Sequence, residues 1–270
     1  MGGMNTLAQA SSPIGALLRE WRTKRRMSQL DLATEAEISQ RHLSFVESGR
    51  AAPSRDMVLR LAENLSIPLR QQNELLMAAG FAPQFAERKL GDPALAPAMA
   101  AVRQVLKSHE PNPAFAVDGR WNLIEANAAI GPFLGLVQEP SLLTEPINVM
   151  RLCLHPRGLA PIVMNLREYR DHLLLRLKRQ YEASADPKLV ALEKELLGYP
   201  SGPRTSIPIH PDAAMIAHPL RLRVGDTNLT LISTLSVFGT ALDITLSEIA
   251  IESFFPADPE TAAFLRDSAG

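Results

Sequence analysis

The sequence predicts an α+β protein of two domains: an all-α unit of five helices, then an antiparallel five-stranded sheet with helices packed on it. Three observations carry this. Aromatics are only 5% of the 270 residues while Leu and Ala recur throughout, which favours helix, and 21 Pro supply breaks between helices. Apolar residues repeat every three or four positions from Ile14 to Ala79, with Ser28, Ser39 and Ser54 at helix starts. Beyond residue 96, runs rich in Thr, Ile, Val and Phe stand between turn signals and flank one long helical pattern. At 46% hydrophobic the chain has material for two cores.

Helix one begins at Ile14, carries Leu17, Leu18 and Trp21, and ends in Lys24-Arg25-Arg26, where cations suit the negative end of a helix dipole. Ser28, followed three residues later by Asp31, caps a second helix reaching about Ala36, with Leu30, Leu32 and Ala33 available for burial. Ser39 caps a third. Pro53-Ser54 opens a fourth carrying Met57, Val58, Leu61, Ala62 and Leu65 inward, and a fifth runs from about Leu69 to Ala79 before Gly80. The expected layout is a disordered tail over residues 1–11, the helical domain over 12–81, a Pro- and Gly-containing linker over 82–95 and a second domain over 96–270.

That second domain should open with a helix over about 94–108, then strands at 114–117 and 121–125 around the Asp118-Gly119 turn, then short helix or loop over 127–137. Ile162, Leu166, Tyr169, Leu173, Leu177 and Tyr181 define a helix of about 25 residues ending near Asp186-Pro187, and Lys188 to Leu197 should fold back on it. Two strands joined at Gly225-Asp226 and a third inside "LSEIAIESFFPAD" complete the sheet.

The formal net charge is -1, unevenly spread. Residues 1–85 hold ten Lys/Arg against eight Asp/Glu, and five of the ten lie between Arg19 and Arg26. Such a patch suits either a polyanion or a solvated helix face. The single cysteine, Cys153, excludes an internal disulfide framework and fits a reducing compartment as a buried structural thiol. No charged start followed by an apolar block opens the chain, and no apolar run approaches the ~20 residues that cross a bilayer, so a cytoplasmic protein away from membranes is expected.

On the third helix, Leu43 and Val46 share the buried side, which leaves Gln40, Arg41, Ser44 and Phe45 on or near the other. These are side chains that read bases: Gln pairs with adenine, Arg with guanine, and an apolar ring touches a thymine methyl. Ser28, Gln29 and Ser39 stand at helix N-termini, where free N–H groups favour phosphate, and His42 suits a phosphate-side or surface position.

"MSQLDLATEAEISQRHLSFVESGRAAPSRDMVLRLAENL" resembles the helix-turn-helix of the XRE family, the fold of lambda-type Cro and repressor proteins. The likeness spans about residues 12 to 80 and rests on the joint order of Ser-Gln, Leu-Ala, Ile-Ser and Glu-x-Gly-Arg. It implies that Gln40, Arg41, Ser44 and Phe45 enter the major groove of double-stranded DNA, that Gln29, Arg50 and Arg55 approach phosphates, and that Arg22 pairs with Glu47. Further on, "RWNLIEAN", "HPRGLAP" and "STLSVFGTALDITLSEIAIESFFPAD" are similar to the MmyB-type, PAS-like ligand-binding domain that accompanies such units in bacterial regulators. That resemblance, over about residues 98 to 266, implies a cavity for a small apolar molecule of fatty-acid-like kind. Separately, one helix-turn-helix reads only a few base pairs, so useful specificity calls for a homodimer on a two-part operator.

The apolar faces of the sheet and the long helix suit either a cavity or a closed core. His155, Arg157, Asn165, Arg167 and Tyr169 are polar residues that could orient a ligand's head group, with capping and surface roles as the alternative. No metal, cofactor or catalytic residue is expected. The His residues are widely spaced, and phosphate loops, nucleophile elbows and paired carboxylates are missing from the sequence. The competing reading is a second domain that only dimerises or recruits a protein.

Overall fold

Three helices of the N-terminal unit, the second to the fourth, start at a serine whose side chain satisfies a free backbone N–H group. A computed structural model describes residues 13–202, 219–239 and 241–268. The expected tail, residues 1–11, lies outside them, as do His210 and His218. The helices are α1 (Pro13–Lys24), α2 (Gln29–Glu35), α3 (Gln40–Glu47), α4 (Arg55–Asn64) and α5 (Leu69–Ala78). Ser28 and Asp31 form a reciprocal capping box, the Asp31 N–H donating to Ser28 Oγ at 3.1 Å and the Ser28 N–H to Asp31 Oδ2 at 2.8 Å. Ser39 and Ser54 cap α3 and α4 through the N–H groups of His42 and Met57.

Leu18 and Trp21 of α1, Leu32 and Ala33 of α2, Leu43 and Val46 of α3, and their partners on α4 and α5 close one core. Leu30, expected inward, is exposed instead. At ~100° per residue it lies nearly opposite Leu32, the side chain that α2 buries.

This unit runs to Glu87 and takes in Leu242–Ile244, so its edge falls inside the stretch expected to be a linker. The cause is Asn73 on α5: its carboxamide oxygen accepts from the Gln84 and Phe85 N–H groups, and its amide donates to Phe85 O at 2.7 Å. Ala86 then pairs with Asp243 and accepts the Ile244 N–H at 2.9 Å.

The second unit is built on five antiparallel strands, β1 (Ala114–Val117), β2 (Leu123–Ala126), β3 (Leu220–Val224), β4 (Thr227–Val237) and β5 (Ala250–Pro256), in the order β2-β1-β5-β4-β3. Gly225, at φ +58°, and Asp226 make the expected two-residue link between β3 and β4. The first hairpin differs from expectation. Asp118 holds a longer loop by accepting from the Arg120 and Asn122 N–H groups, so β2 starts at Leu123 and Trp121 enters the core at φ +67°.

Helix α6 (Ala96–Ser108) covers one face of the sheet through Met99, Val102 and Leu106 against Ala114, Ala116 and Ile251. The other face carries α7 (Gly131–Leu134), α8 (Val149–Leu154), α9 (Leu166–Ser184) and α10 (Pro187–Leu197). Helix α9 begins four residues later than its periodicity suggests. Val163 bridges to Leu222, the Met164 N–H donates to Arg221 O at 2.8 Å, and Asn165 fastens both sides of Pro219-Leu220, so this segment is drawn into extended pairing with β3.

A single turn, α11 (Ile244–Ser247), precedes β5, and a final helix, α12 (Pro259–Asp267), follows it. Asp258 caps α12 and the buried Thr261 accepts the Thr230 N–H at 2.9 Å, fastening α12 to β4. The layout is compatible with a PAS-like arrangement, and among the described residues no helix is long and apolar enough to cross a membrane.

Candidate nucleic-acid interface and ligand cavity

Helix α3 is fixed from within and open from without. Leu43 and Val46 are fully enclosed, while Gln40, Arg41 and Arg50 are exposed and His42, Ser44 and Phe45 half-buried. The Ser-Gly-Arg end of the helix has a clear structural purpose. Gly49, at φ +76°, lets the chain reverse, the Arg50 N–H donates to Phe45 O at 2.8 Å, and the Arg50 guanidinium returns over the Phe45 ring at 5.9 Å. Arg41 lies over the same ring at 5.4 Å, so Phe45 is a platform for two exposed cations. Arg55 is exposed in the first turn of α4.

Beneath this surface the Glu47 side chain has no exposure and receives Arg22 bidentately, Nε to Oε1 at 2.7 Å and Nη2 to Oε2 at 2.8 Å. Gln29 donates its amide to the same Oε2 at 2.8 Å, and Arg19 approaches it at 3.6 Å. One carboxylate therefore joins α1, α2 and α3. Burial pushes its pKa up, but the hydrogen bonds from Arg22 and Gln29 and the charges of Arg22 and Arg19 outweigh this and hold it below the ordinary value.

The Arg19–Arg26 cluster is largely engaged by the fold. Arg22 is on Glu47, Lys24 is 2.7 Å from Glu20, and Arg25 donates to Leu65 O and Ser66 O at the end of α4. The exposed cations on and beside α3 are thus the better candidates for phosphate.

In the second unit the sheet and α7–α9 leave a cavity of about 70 Å³. All five strands reach it, through Phe115 of β1, Leu123 of β2, Leu222 of β3, Leu231 of β4 and Phe254 of β5. Phe133, Leu152, Cys153 and Tyr169 face them. Of the polar residues singled out for a head group, only the buried Tyr169 lines this wall. Asn165 is occupied at β3, His155 packs edge-on to Tyr199 and accepts the Arg157 N–H, and Arg167 is half-buried away from the lining. The apolar lining residues carry no mark in the sequence that separates them from ordinary core.

Cys153 is half-buried and lines the wall of the cavity. Burial and the charge of Glu252 push its thiol up to about 12. At about pH 8 a free thiol near 8.5 is partly thiolate, whereas Cys153 stays protonated. Iodoacetamide is therefore expected to alkylate Cys153 at least tenfold more slowly in the folded protein than in urea, read by mass spectrometry. Equal rates would contradict this microenvironment.

A capped, solvent-facing helix on a five-helix unit, joined to a domain with an apolar hollow, defines a DNA-binding transcription regulator of the helix-turn-helix class. The chain belongs to the family of the MmyB-like transcription regulator ligand binding domain, whose model matches residues 98–267, and a helix-turn-helix model matches residues 18–72. Two crystal structures of the clp gene regulator ClgR from Corynebacterium glutamicum are similar over a limited part of the chain, each at 24% identity and TM-score 0.23. One covers 26% of this chain and 87% of its own, the other 37% and 94%. No curated protein matches the chain.

Proposed function

We propose that this chain is a cytoplasmic, non-enzymatic, sequence-specific regulator that binds double-stranded DNA as a homodimer, and that its second domain senses a small apolar, fatty-acid-like ligand. The observation that carries the DNA reading is the α3 surface, anchored by Leu43 and Val46 with Gln40 and Arg41 open to approach. Gln40, Arg41, Ser44 and Phe45 read bases. Arg50, Arg55 and His42, with the helix starts at Ser28-Gln29 and Ser39, meet phosphates. A single reading helix covers few base pairs, so specificity calls for two half-sites about one helical turn apart. The cavity reached by every strand supports sensing over pure scaffolding. Ligand occupancy then shifts operator affinity through the dimer, with a coupling of about 1–3 kcal/mol.

The test uses an operator selected from random-sequence DNA by the wild-type protein. Arg41→Ala is expected to reduce discrimination between operator and random DNA by about 1–3 kcal/mol. Arg50→Ala should weaken both alike and lower the slope of log affinity against log salt by about one unit. An equal loss on both DNAs from Arg41→Ala would remove the base contact and with it this reading.

A further inference from the structure

Resting on the DNA reading above and narrowing it, we infer that Phe45 is a positioning residue. Its ring holds the Arg41 guanidinium ready for a guanine and the Arg50 guanidinium ready for a phosphate. Phe45 bears on sequence preference through these cations and not through a thymine methyl of its own.

The geometry of α3 gathers the three side chains. A helical side chain leans toward the helix N-terminus, over the preceding turn. Phe45 stands four residues after Arg41, so its ring comes under the Arg41 guanidinium, 5.4 Å from the ring centre. Arg50 arrives from the other end. The chain reverses at Gly49, and the Phe45 carbonyl oxygen accepts the Arg50 N–H at 2.8 Å, the Ala51 N–H at 3.2 Å and the Ser48 hydroxyl at 3.2 Å. That fastened turn returns the Arg50 guanidinium to 5.9 Å from the same ring centre. Both cations thus stand within the ~6 Å at which a ring face attracts a cation.

Position along the helix divides the labour. Arg41 is the second residue of α3 and Phe45 the sixth, and a reading helix meets base edges with its N-terminal residues. Arg41 is exposed, whereas Phe45 is half-buried and engaged by two guanidinium groups, one of which a thymine methyl would have to displace. An exposed arginine loses side-chain freedom when it pairs with a guanine, and that loss weakens the complex. Held over the ring before DNA arrives, Arg41 has less to lose. Two cations gathered at one ring repel each other, and the electron-rich ring face offsets that repulsion.

The full chain and the operator selected by the wild type test this. Affinities are measured for the operator, for each of its single-base-pair variants and for random DNA. Phe45→Leu keeps apolar bulk but removes the ring face. It is expected to lower discrimination about two- to fivefold, at the same guanine that Arg41→Ala affects. In an Arg41→Ala background it should change nothing further at that base pair. Phe45→Tyr, which keeps the ring face, should stay within about twofold of wild type. Three results for Phe45→Leu overturn the inference and leave the DNA reading standing: discrimination unchanged, whether or not all DNAs are weakened alike as by a disturbed fold; a loss added in full to that of Arg41→Ala; or a loss confined to a thymine that Arg41→Ala leaves untouched. If Arg41→Ala itself leaves every base preference intact, the base contact fails and the inference falls with it.

Discussion

Replacing Glu47 by Ala is expected to destabilise the N-terminal unit by about 3–5 kcal/mol, a large share of the roughly 5–15 kcal/mol that holds a domain together. The side chain is wholly enclosed and Arg22, its bidentate partner, keeps only 13% of its side-chain exposure, so the variant leaves a guanidinium without its counter-charge in a place that water barely reaches. An exposed pair would be worth about 0–1 kcal/mol, and the burial decides between the two magnitudes. The loss also frees the Gln29 amide from α3. Urea unfolding followed by circular dichroism measures the effect, and a loss under about 1 kcal/mol would show that the pair behaves as a surface bridge.

The same residue sets a pH dependence. Its folded pKa lies below the unfolded carboxylate value near 4.3, so its contribution is complete above that value and fades as pH falls through the lower, folded one. Wild-type stability should therefore drop on acidification below about pH 4 more steeply than that of Glu47→Gln.

Gly15→Ala carries the second large effect. A β-carbon at this buried position would stand 2.6 Å from both Val46 O and Glu47 O and 2.9 Å from the Glu47 carbonyl carbon. All three obstacles are backbone, so α1 has to move away from α3 as a body. The expected cost is near the upper end of the roughly 1–3 kcal/mol typical of overpacking. Gly91→Ala, whose new methyl meets nothing within 4 Å, is the matched control and should stay within about 0.5 kcal/mol of wild type. Comparable denaturation midpoints for the two variants would contradict the close helix contact.

How far the sequence reveals this molecule depends on the range of the forces involved. The helix starts at Ser28, Ser39 and Ser54 were legible because a cap is settled by residues within one turn. The five strands were legible as runs of β-prone residues, and the Gly225-Asp226 turn fixed one register. The start of α9 was not, because Val163 to Asn165 answer to β3, more than fifty residues away. Helix α12 was overlooked although Asp258-Pro259-Glu260 carries a cap, a helix-starting proline and a first-turn acid. The cavity itself leaves no local trace: Phe115, Leu152, Cys153 and Phe254 look like core in any linear pattern, and only the space between them marks a site. Asn165 illustrates the reverse error, a polar side chain in a plausible place that is fully committed to backbone.

The hollow between sheet and helices touches every strand, and this bears on how a guest would be felt. A molecule lodged there presses on five hydrogen-bonded neighbours together, so their amides should slow in deuterium exchange as a block instead of one segment at a time. The domain would then respond to the bulk of what fills it, much as a gauge responds to pressure, and chemically dissimilar guests of equal size should produce the same reply.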